Sequence, residues 1–151
     1  MNDSMSSTLP DEAALFFYKH IIVPWETKLK NEVGCWDVKR TREALEGIAV
    51  QINCVEIGRV ESTVENEHAA AQGNFVVFSS QRSQMKDLFR HLRNCVAHCS
   101  VSVVRSRKRV TRYRFSGTEY RRPALSISAA LDLDTLRLIV EALPTKPSAA
   151  A

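Results

Sequence analysis

Arg93, Asn94 and His98 place a guanidinium, an amide and an imidazole within six consecutive residues. Transfer at a phosphodiester needs these groups. In RNA the 2′-hydroxyl can attack the adjacent phosphorus once a base takes its proton and an acid meets the departing 5′-oxygen. An imidazole, with a pKa of about 6.5, can serve as either near neutral pH. Arginine makes forked, charge-assisted hydrogen bonds to phosphate oxygens, and such preorganised charge is often the largest catalytic contribution. Asn94, one helical turn before His98, can orient the ring or bind phosphate. The chemistry needs no metal and would leave a 2′,3′-cyclic phosphate and a 5′-hydroxyl.

These residues sit in an apolar-periodic stretch that reads as a helix from about Gln81 to Cys99, capped by Ser79 or Ser80. Met85, Leu88, Phe89, Leu92, Cys95, Val96 and Cys99 share one seam, and Arg90, His91, Asn94 and His98 form a polar stripe across from it. At about 100° per residue, Arg93 and His98 lie about 140° apart. On a straight helix they do not face one spot. Either the long Arg93 side chain curls round the helix, or two chains assemble the site, one supplying Arg93 and the other His98. In the plainer alternative Arg93 is a surface cation paired with an acid such as Asp87, and His98 is solvated. His91, Cys95, His98 and Cys99 also invite a zinc reading, but four ligands from one helix cannot surround the ion tetrahedrally. No metal or other cofactor is expected.

Arg93-Asn94-Cys95-Val96-Ala97-His98 resembles the signature of the HEPN family, with the closest match over Leu88–Cys99. The resemblance implies a mainly α fold: an antiparallel helical bundle of HEPN type, with a small C-terminal β-hairpin element and a final helix. It implies a metal-independent endoribonuclease acting as a homodimer with a composite cleft, in which Arg93, Asn94 and His98 are the catalytic residues. A prokaryotic toxin or defence role fits that family, with a cognate antitoxin among the partners. Some HEPN domains are inactive scaffolds, so a non-catalytic RNA-binding or protein-interaction module is the rival.

At 151 residues the length is that of one domain, able to bury about 68–70% of its unfolded surface. The expected division is a disordered start over 1–8, one domain over 9–143 and a flexible tail over 144–151. Five Gly and five Pro make about 7% of the chain against about 12% in ordinary usage, which favours long helices. Thr8, Pro10 and Asp11 mark the start of a first helix running to about Val33, with a kink or break at Pro24, which cannot donate to the His20 carbonyl. Gly34 ends it and Asp37 caps a second. Val38, Leu45, Ile48, Ile52 and Val55 predict that this one runs toward His68 as the long spine of the bundle. Phe75–Phe78 fits a loop with a buried anchor and a short strand equally. Ser100–Ser116 alternates as a hairpin, residues 123–128 are short and β-like, and a last helix covers about Leu131 to Leu143.

Charge is concentrated. Between Arg105 and Arg122 eight basic residues stand against the single acid Glu119, while the remainder holds 13 basic and 16 acidic residues. Such a patch attracts polyanions. Arg105, Arg107, Arg109, Arg112 and Arg114, with Arg90 of the motif helix, are the expected RNA contacts. The competing role is a charged strand edge that resists aggregation. The start of the chain lacks the cationic and apolar regions of a secretory signal. No apolar run spans a bilayer, and the four Cys read as reduced thiols of a cytoplasmic protein.

Overall fold

The computed structural model describes residues 4–6, 9–66, 73–107, 109–118 and 124–144. Strands β1 (Ser4–Ser6), β2 (Val50–Val55), β3 (Asn74–Ser79), β4 (Val101–Ser106), β5 (Arg109–Thr118) and β6 (Leu125–Leu131) form one sheet in the order β1-β4-β5-β6-β3-β2. β2 and β3 run parallel and every other pairing is antiparallel. Helices are α1 (Asp11–Phe17), α2 (Val23–Thr27), α3 (Val38–Ala44), α4 (Val60–Asn66), α5 (Gln84–Ala97) and α6 (Leu133–Ala142). The fold is therefore a mixed sheet with helices on both faces, and the expected mainly α antiparallel bundle is overturned.

The largest correction lies in the second helix. The spine expected from Asp37 toward His68 is instead α3, β2 and α4. Two glycines break it: Gly47 at φ 84° and Gly58 at φ 87° take left-handed turns that end one element and admit the next. The steps from Ile48 to Ile52 to Val55 fit a helical face, yet Val50-Gln51-Ile52-Asn53-Cys54-Val55 is also β-branched and uncharged. Pairing with β3 settles it as a strand.

Phe75–Phe78 lies within β3, a central strand buried along nearly all its length. Within the expected first helix, a π turn at Tyr18–Ile22 separates α1 from α2. The Val23 amide reaches back to the Tyr18 carbonyl, and the widened turn accommodates Pro24. A short 3-10 turn follows at Leu29–Asn31. At the start of the chain, expected to be disordered, β1 pairs with β4. The proposed cap Thr8 and the tail from residue 145 onward lie outside the described residues.

One face of the sheet carries the main core. Phe17, Ile21, Trp25, Leu88, Phe89, Leu92, Leu136 and Ile139 pack there against Phe78, Val103, Tyr113, Phe115 and Ile127. A fully buried residue of this size contributes about 1.5–3 kcal/mol. On the opposite face α4 sets Val60 and Val64 over Phe75, Val77 and Ala130. The motif helix α5 thus shares the first face with α1, α2 and α6 and rests on β3, β5 and β6.

Candidate functional site

α5 leaves β3 through residues 80–83, and Asp87 fastens this entry. Its carboxylate accepts from Ser80 Oγ at 2.8 Å and from the Gln81 and Arg82 amides at 3.0 and 3.3 Å. Burial pushes the Asp87 carboxyl up, but these hydrogen bonds and the Arg90 guanidinium outweigh it and hold the group below its ordinary range. Ser83 is the N-cap, without a side-chain bond, so neither Ser79 nor Ser80 caps the helix.

The helix ends on a Schellman turn. The Ser100 amide donates to the Cys95 carbonyl at 2.7 Å and the Cys99 amide to that of Val96 at 3.3 Å. Cys99 takes the left-handed position, φ 57°, that glycine usually fills. His98, the C-cap, is thereby left exposed at the end of the helix.

Arg93 is held within its own chain. Its Nη2 donates to Glu26 Oε1 at 2.5 Å and its Nη1 to Asn94 Oδ1 at 2.9 Å. Its Nε is buried and has no hydrogen-bond partner among the described residues. Glu26 also accepts from Lys30 Nζ at 3.3 Å. Lys30 first, then Arg93, holds the Glu26 carboxyl below its usual range. Asn94 Oδ1 therefore steadies Arg93. The sequence pointed to Asp87 as the acid that would pair with Arg93, but Asp87 pairs with Arg90 at 3.4 Å instead. Glu26, which no motif marked, comes from α2, 67 positions away.

The other members of the zinc alternative part company. His91 is 2% exposed and its Nε2 donates to the Ser79 carbonyl at 2.7 Å. Burial pushes the Cys95 thiol up to about 12, while His98 and Cys99 are exposed. No cluster of three or more His, Cys, Asp or Glu able to hold a metal ion occurs among the described residues.

Beside Glu26 and Arg93 lies a depression of about 400 Å³ lined by Trp25, Lys30, Arg82, Lys86, Asp87 and Arg90 among others. Lys86, Arg90 and Arg93 follow at steps of four and three and so share one side of α5. Lys86 Nζ also donates to the Glu32 carbonyl at 2.9 Å. The sequence reading took Arg90 and Arg93 from this stripe and missed Lys86, Arg82 and Lys30. The helical spacing of Lys86 was the available signal.

The basic hairpin does not join this stripe. Tyr113 and Phe115 face the core, where Phe17 meets their rings at 5.5 and 5.8 Å. Alternation sends Arg112 and Arg114 to the opposite face of the sheet from α5. Arg112 Nη1 donates to the Gly73 carbonyl at 2.8 Å. Arg107 and Arg109 are exposed at the hairpin tip and Arg105 is half-buried just before it. β4 starts three residues after His98 and runs away from it, which puts the tip about 15–20 Å along the strand. Of the expected RNA contacts, only Arg90 lies beside Arg93.

No helix among the described residues is long and apolar enough to cross a membrane. No curated protein and no solved structure matches the chain. The family model described as HEPN pEK499 p136 matches residues 11–146, from the start of α1 to beyond α6, and the chain belongs to that HEPN family.

Proposed function

We propose that this chain is a metal-independent endoribonuclease that cleaves RNA through its 2′-hydroxyl, with a site completed by a second copy of the chain. The observation carrying the reading is the row of groups along α5: Lys86 and Arg90 at the depression, Arg93 braced by Asn94, and exposed His98 at the helix end. The cations hold the backbone of the RNA. His98 exchanges the proton of the attacking hydroxyl or of the leaving oxygen, and Arg93 takes the charge that builds on phosphorus. Within one chain Glu26 holds Arg93 on a different side of α5 from His98, which favours pairing Arg93 of one copy with His98 of another. A toxin or defence ribonuclease kept in check by a cognate antitoxin is the biological setting we infer.

The test uses RNA, EDTA and purified protein. Wild type is expected to cleave, and His98→Ala and Arg93→Ala each to lose cleavage. Mixing the two inactive variants is expected to restore part of it, because a mixed dimer rebuilds one intact site. Cleavage unchanged in both variants would sink the reading. One observation favours a non-catalytic RNA-binding module instead: Arg93 is already neutralised by Glu26. RNA binding without cleavage, indifferent to His98→Ala, would establish that alternative.

A further inference from the structure

We infer that Glu26 is an internal competitor for RNA phosphate, an acidic gate on Arg93 that must open before a nucleotide backbone can be gripped. This rests on the reading of the α5 face as an RNA site.

The donors of Arg93 decide the matter. A guanidinium grips a phosphate through two N–H groups on one edge. Nη1 donates to Asn94 and Nη2 to Glu26. The side edge is formed by Nη2 together with Nε, which is buried; the end edge is formed by Nη2 and Nη1. Nη2 belongs to both edges, so a two-pronged contact on either one brings a phosphate against the Glu26 carboxylate. Glu26 is an anion bound where a phosphate oxygen would bind.

The same geometry makes the gate ready to open. The resting pose leaves Nε buried without an acceptor among the described residues, a state that opposes the pairing. Replacing Glu26 by a phosphate on the side edge would give both Nε and Nη2 acceptors. The released Glu26 keeps Lys30, already its partner at 3.3 Å. The pair is partly solvated, with side chains 28% and 38% exposed, so an incoming anion can compete with it. The lysine and arginine side chains around the neighbouring depression would bring that anion close.

The test separates binding from cleavage by using a short, fully 2′-O-methylated single-stranded RNA, which has no attacking hydroxyl. Binding is followed by fluorescence anisotropy over a salt series. Glu26→Gln is expected to bind about threefold more tightly than wild type, the scale of losing one partly exposed competing ion pair. Its log–log salt dependence is expected to steepen by about 0.7, one additional phosphate contact on a single strand. The added Arg93→Ala change is expected to erase both gains, which a general loss of negative charge would not explain. Glu26→Ala is expected to act in the same direction, so one poorly folded variant cannot decide the outcome. Unchanged or weaker binding in the folded Glu26 variants, or a gain that survives Arg93→Ala, overturns the gate. Tighter binding by a protein that cuts no unmodified RNA would uphold the gate while removing the ribonuclease reading.

Discussion

Trp25 lies nearly flat on Phe89, ring centroids 5.9 Å apart and planes 14° apart. The stack joins α2 to α5 one residue before Glu26 and one helical turn before Arg93. Trp25→Ala should therefore cost about 3–5 kcal/mol, the scale of truncating a large buried aromatic. Urea unfolding measures this. A loss under about 1 kcal/mol would mean the stack does not anchor the two helices.

Gly117 lies beneath α5, and a Cβ added there would stand 3.0 Å from Cys95 Sγ and 3.5 Å from Ile127 Cγ2. Cys95 is 2% exposed and has little room to move. Gly117→Ala is expected to destabilise by about 1–3 kcal/mol. Because the clash is with one atom, the cost should shrink in a Cys95→Ala background. Simple additivity in the double-mutant cycle would show that Cys95 is not the obstacle.

Cys99 occupies a left-handed position that favours glycine. Cys99→Gly should raise stability by about 1 kcal/mol by removing the Cβ penalty. The Schellman turn and the exposure of His98 should persist, so RNA cleavage should be kept. A lower melting midpoint would contradict the turn.

Asp87 gives an acid dependence of known sign. Its folded pKa lies below its unfolded value. The stability it contributes is thus complete above about pH 4 and disappears as pH falls through the depressed folded value. Asp87→Asn should remove this part of the acid sensitivity and lower stability at neutral pH. An unaltered pH profile of unfolding would show that the cluster around Asp87 contributes nothing.

The separation of the two basic regions predicts unequal effects on RNA binding. Lys86→Glu with Arg90→Glu should weaken single-stranded RNA binding and flatten its salt slope by about 1.4, two phosphate contacts. Arg112→Glu with Arg114→Glu, across the sheet, should weaken that binding less and change its salt slope less. The opposite ranking of the two double variants would place the RNA path on the other face.

Much of this was legible locally. The seam of α5, the alternation of Arg112 and Arg114 with Tyr113 and Phe115, and the last helix follow from side-chain periods within one element. Phe75–Phe78 was ambiguous because four apolar residues satisfy both periods, and only its neighbours β2 and β6 make it a strand. The region from Asp37 to His68 was misread for a related reason. Its apolar spacing fits a helix, while the left-handed turns at Gly47 and Gly58 and the pairing of β2 with β3 override that pattern.

The sequence by itself determined which groups line α5 and that Arg93 and His98 leave an ideal helix about 140° apart, because both follow from the helical turn. The tertiary structure decided what Arg93 meets. Glu26 reaches it across 67 positions of chain, through an arrangement fixed by packing such as that of Trp25 on Phe89. It also decided that the most basic segment of the chain lies partly across the sheet from that helix. Local periodicity sets the direction of a side chain along its own element, but its partner is set by contacts between elements far apart in the chain.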